Sequence, residues 1–71
     1  MEIKKSQVKE SGVKFIELAA ALDISPAMVT KMPDIMPAQY QYALRFGSKE
    51  AQAIRRKVLR HLRKEEKQND N

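Results

Sequence analysis

The residues best able to do chemistry in this chain lie close together, in the segment Ser25 to Met32, SPAMVTKM. Ser25 and Thr30 bring hydroxyls, Lys31 an ammonium, and Pro26 and Ala27 small apolar contacts. At helical spacing Met28, Val29 and Met32 fall on one side, which leaves Pro26, Ala27, Thr30 and Lys31 on the outward arc with Ser25 at its entrance. Such an arc suits the edges of nucleic-acid bases. An ammonium can donate to guanine O6 or N7, a threonine hydroxyl can pair either way, and an alanine methyl can meet that of thymine. Ser25 and the amides that begin the helix suit a phosphate oxygen. The set contains no arginine, asparagine or glutamine, so sequence selectivity is expected to be modest or helped by DNA shape.

Enzyme chemistry has thin support by comparison. His61 is the single histidine, there is no cysteine, and only two glycines occur, too few for a phosphate-cradling loop. The carboxylates are scattered along expected helices and do not converge. His61 sits beside an apolar stripe, where a core-boundary role outweighs a catalytic or metal-binding one. The expectation is a protein that is not an enzyme and takes no cofactor, metal or small-molecule ligand.

The elements that must position the 25–32 segment are legible on either side of it. Phe15, Leu18, Ala19 and Leu22 recur at helical spacing, Asp23-Ile24 interrupts them, and Ser25-Pro26 restarts a helix. Serine caps a helix start by accepting an unpaired amide, and proline suits the first helical position. Small Ala19 falls where the two helices would cross closely, and Ile24 fills the space between them. That spacing predicts a helix-turn-helix.

Leu18-Ala19, Leu22, Ile24-Ser25, Val29 and Met32, with Gly12 seven positions before Ala19, resemble the Cro and lambda-repressor type of DNA-binding domain. The resemblance extends from about Ile3 to Leu44. Two positions depart from the pattern. Asp23 stands where glycine is usual in the turn, and Phe15 stands where a phosphate-touching glutamine is common. The resemblance implies a compact phage Cro-like repressor that docks the helix 25–32 into the major groove of operator DNA and acts by occupancy.

The rest of the chain reads as further helix. Residues 3–11 form a lysine-rich first helix closed by Gly12. Pro33 and Pro37 fix a connection, after which PAQYQYALRF forms a helix with Tyr40, Ala43 and Leu44 inward. Tyr42 and Phe46, four residues apart, are expected at the core or its margin, or docked on the last helix or another subunit. Gly47 closes that helix and Ser48 caps the next. The last helix, about 49–66, carries a stripe of Ala51, Ile54, Val58, Leu59 and Leu62 with basic residues opposite. This stripe outruns the needs of one small core, so a homodimer, at least on DNA, is expected to bury Val58, Leu59 and Leu62. The expected fold is all-α, about five helices with a central helix-turn-helix. Residues 1–66 form one domain and 67–71 a flexible polar tail.

Composition sets the remaining bounds. Seventy-one residues make one small domain, and 14 basic against nine acidic side chains give a net charge of +5, which favours a polyanion such as double-stranded DNA. No apolar run approaches the roughly 18 residues of a membrane span and no signal-peptide pattern opens the chain. A cytoplasmic place in a bacterial host is expected, as a phage, prophage or nucleoid-associated protein. A lysogeny activator or an excisionase remains an alternative within the DNA-binding class. From a different class, an adaptor such as an antirepressor could use the same helices to bind protein.

Overall fold

A computed structural model describes the backbone of residues 2–69 and the side chains of residues 2–64. The fold is all-α: α1 (Lys5–Glu10), α2 (Phe15–Leu22), α3 (Pro26–Lys31), α4 (Ala38–Phe46) and α5 (Lys49–Asn69). Ile3, Val8, Leu18, Val29, Met36, Leu44 and Val58 fill its centre, each almost wholly buried. No helix among the described residues is long and apolar enough to cross a membrane.

The first two helices end in the same way. At the end of α1 the Gly12 amide donates to Lys9 O and the Val13 amide reaches back to Val8 O. At the end of α2 the Asp23 amide donates to Ala20 O and the Ile24 amide to Ala19 O. Each is a Schellman closure, which needs one left-handed residue and brings together the side chains on either side of it. Gly12 supplies φ of 94° freely, whereas Asp23 holds φ 58° and ψ 44° against the steric cost of a Cβ. In both, the residues so joined enter the core: Val8 with Val13, and Ala19 with the partly buried Ile24.

The amino-terminal segment is extended where helix was expected to start at residue 3. Ile3 is buried, Lys4 pairs antiparallel with Ile35, and α1 begins only at Lys5. Two polar side chains from later in the chain hold it. Gln41 accepts from the Ile3 amide at 2.9 Å and donates to the Ile3 carbonyl at 2.8 Å, as a neighbouring strand would. The Asp34 carboxylate accepts from the Ser6 amide at 3.0 Å, satisfying a donor at the start of α1. Ile3 thus reaches the core without a helix around it.

Two other expectations are corrected. Tyr42 and Phe46 are each 65% exposed, because Leu44 is the face of α4 that packs inward and both aromatics point the other way. The stripe on α5 is covered within one chain. Ala51 and Val58 are fully buried, and Ile54, Leu59 and Leu62 pack partly buried against the same core. Helices α1, α2 and α4 all lie against α5, more cover than its sequence suggested. Helix α5 ends at Asn69, three residues past the expected end at about 66, and Asp70 and Asn71 of the expected tail lie outside the described residues. Ser48 caps α5 as expected and also donates to Ala21 O at 3.1 Å, tying α5 to the end of α2.

Opposite outcomes are expected at the two ends of the α2 closure. Ala19 is 1% exposed, so Ala19→Leu should overpack the crossing and destabilise the domain by about 1–3 kcal/mol. Asp23→Gly should relieve the left-handed strain and stabilise by up to about 1 kcal/mol. Thermal unfolding followed by circular dichroism checks both, at roughly 4–8 °C per kcal/mol for a domain this small. An unchanged melting temperature for Ala19→Leu would show that the crossing has room.

Candidate nucleic-acid interface

Helix α3 is short, and its presentation depends on what surrounds it. Ser25 accepts from the Met28 amide at 3.3 Å with Pro26 next in line, the start expected from sequence. At the other end Met32 leaves the helix with ψ of 155°, so its side chain turns into the core from extended backbone. Val29 is fully buried. These two anchors, one on the helix and one just past it, fix which side of α3 faces outward.

Every residue expected on the outward arc is exposed: Ser25, Pro26, Ala27, Thr30 and Lys31 share one accessible surface. Two details refine what they can do. The Thr30 hydroxyl donates to Pro26 O at 3.2 Å, which leaves it as an acceptor toward a ligand rather than a group that pairs either way. The Ser25 oxygen is occupied as a cap, so its hydroxyl proton is what remains for an incoming oxygen. Lys31 keeps its full set of donors.

Met28 was expected inward and is 47% exposed. The expectation assumed that Met28 and Met32 stack four apart on one helical face. Met32 is no longer helical, so that stack does not form. Met28 instead joins the accessible side of α3 and offers an adaptable apolar contact. A cleft of about 360 Å³ opens beside it, lined by Met28, Lys31, Pro33, Pro37, Gln39 and Tyr40. Exposed Gln39, in the first turn of α4, places a carboxamide in the same cleft as the Lys31 ammonium. Its place here is not apparent from sequence, because it belongs to another helix. Its one signal is a polar residue directly after Pro37-Ala38.

Lys5 is the second feature that sequence alone does not disclose. Its ammonium donates to Val29 O and Thr30 O, both at 3.1 Å, and lies 5.8 Å from the centre of the Phe15 ring. The last carbonyls of a helix have no partners of their own, and a cation there meets both their hydrogen-bonding need and the helix dipole. Phe15, where the resemblance would place a phosphate-touching side chain, is half-buried beneath this lysine. The orientation of α3 is therefore locked at its carboxyl end by a charge from α1.

His61 stands apart from this surface. It is half-buried on α5, in a cleft shared with Ser11, Lys57, Arg60 and Lys64. No protein-family model, curated protein or solved structure matches this chain.

Lys5→Met keeps most of the apolar stem over Phe15 and removes the donors to Val29 and Thr30. The variant should lose about 1 kcal/mol of stability, the lower range for charge-assisted bonds because one of the pair is exposed. Lys9→Met on the same helix has no such carbonyl partners and should melt within error of the wild type. Thermal unfolding of the two variants side by side provides the check.

Proposed function

We propose that this chain is a sequence-selective DNA-binding regulator of transcription, a Cro-like repressor that occupies operator DNA through α3. The observation that carries the reading is the single outward arc of Ser25, Pro26, Ala27, Thr30 and Lys31, all exposed on a helix whose opposite side is anchored by Val29. A short helix held proud of the body by a preceding helix and tight turn is suited to the major groove, where early residues of the second helix reach base edges. The net charge of +5 favours approach to a polyanion. Lys31 would donate to guanine, Thr30 would accept from an exocyclic amine, and Ala27 with Met28 would meet thymine methyls. The action would be occlusion of a promoter in the cytoplasm of a bacterial host, with no ligand required. The same surface would serve a lysogeny activator or an excisionase.

Pairing of two copies on DNA belongs to this reading, by a surface other than the α5 stripe. Tyr42 and Phe46 meet at a tilt of 51° with ring centroids 5.0 Å apart and face solvent, which also suits the adaptor alternative. Two such side chains offer roughly 200–300 Å² together. A stable protein interface buries about 800 Å² per partner. A free dimer is therefore not expected, and a weak contact between neighbours already bound to DNA is. Sedimentation should find a monomer at micromolar concentration, and Tyr42→Ser with Phe46→Ser should reduce cooperativity on a two-half-site duplex without weakening a single half-site. A stable dimer in free solution would contradict this.

Selection of sites from random duplex DNA tests the principal reading. On a selected site Lys31→Ala should lose roughly 1–3 kcal/mol and relax the preference at one base position, while random duplex should change little. Equal losses on both would reduce Lys31 to a phosphate contact. Failure to enrich any sequence, together with capture of a protein partner, would favour the adaptor.

A further inference from the structure

Between Ala51 and Lys64 the solvent side of α5 carries charge of one sign. With Ala51 and Val58 inward, the side chains turned outward include Arg56, Lys57, Arg60, Arg63 and Lys64, and all five are exposed. No acidic residue occurs from Ala51 to Lys64. Spacings of three and four place these cations one turn apart, an arrangement that destabilises a helix by mutual repulsion unless something offsets it. Among the described residues none of the five has an ion-pair partner. Two clefts of about 210 Å³ each, large enough for a phosphate group, open along the row. Arg60 lines both. One lies between Arg56 and Arg63, and the other is where Ser11 at the end of α1 meets Lys57 and Lys64.

The row favours one occupant. From Arg56 to Lys64 the helix rises roughly 12 Å, at about 1.5 Å per residue. That is enough to meet several phosphates of one strand, which follow each other about every 3.4 Å along a duplex axis. A basic helix that lies on a membrane must also sink an apolar face into the lipid. The apolar face of α5 is already committed to the core. We propose that the outward face of α5 is a second, sequence-independent contact for the phosphodiester backbone of double-stranded DNA, distinct from the arc of α3. This goes beyond the reading of α3 and can fail without it.

The test is binding of the full chain to a random-sequence duplex over a salt series. Wild type is compared with a triple variant, Arg56→Gln, Arg60→Gln and Arg63→Gln, and with Thr30→Ala. Glutamine is a good helix former, and circular dichroism verifies that the fold is kept. The triple variant should weaken binding at low salt at least tenfold and flatten the plot of log K against log salt by about 0.9 for each phosphate no longer neutralised. Thr30→Ala should leave that slope unchanged. If the triple variant does not fold, Arg60→Gln alone, shared by both clefts, should flatten the slope by about 0.9. An unchanged slope in a folded variant overturns the proposal, as does absence of wild-type binding to random duplex at low salt. Vesicles containing phosphatidylserine and a polyglutamate chain are run in parallel. Tighter arginine-dependent binding to either than to DNA would assign this face to a membrane or an acidic protein and overturn the DNA assignment.

Discussion

The close approach of α2 and α3 is the constraint from which the rest of the molecule follows. It depends on a left-handed residue at Asp23 and a small residue at Ala19, and the two act together. The turn can reverse the chain in so few residues only because Asp23 adopts φ of 58°, and the Ile24 amide can reach Ala19 O only because it does. The returning helix then lies against α2 at a position where no side chain larger than a methyl intervenes. Everything presented outward on α3 inherits its direction from that crossing. The tolerance for aspartate at a left-handed position is itself informative: the packing on both sides outweighs a strain that glycine would remove.

Around this crossing, polar groups do what a core this small cannot. A chain of this size has little apolar surface to bury, and it cannot use disulfides because it has no cysteine. Gln41, Asp34, Lys5 and Ser48 each satisfy backbone groups on an element remote from their own. Each ties one element to another at a cost in side-chain entropy only, and each meets donors or acceptors that would otherwise stay unpaired at a helix end or an exposed edge. The site on α3 benefits most directly, since Lys5 closes its carboxyl end while Ser25 closes its amino end.

Much of this is legible in the sequence, and what is not has physical causes. The five helices and their order, the Ser25 and Ser48 caps and the exposed arc of α3 follow from local rules that act over three to five residues. Met28 escapes such rules because periodicity presumes a helix that continues, and α3 stops at Lys31. Tyr42 and Phe46 escape them because α4 is apolar on two sides, and spacing cannot say which side finds a core. The α5 stripe looks too long for one domain because its cover comes from three helices, and two of them, α1 and α2, are distant in sequence. Gln41, Asp34 and Lys5 are invisible for the same reason, since a side chain that bonds to remote backbone leaves no periodic trace.

The bond pair between Gln41 and Ile3 spans 38 positions, and that separation has a bearing on how the chain folds and opens. Contacts between α2 and α3 close a short loop and can form early. The Ile3 segment must await α4, and the entropy of closing a loop grows with its length. The first residues should therefore dock late in folding and detach first when the molecule loosens. Such fraying would uncover the apolar groups that Ile3 covers and separate Lys4 from Ile35, leaving α2, α3 and α5 still packed. Amide hydrogen exchange would then describe two tiers: an inner unit around the α2–α3 crossing, and an outer seam joining the start of the chain to its middle.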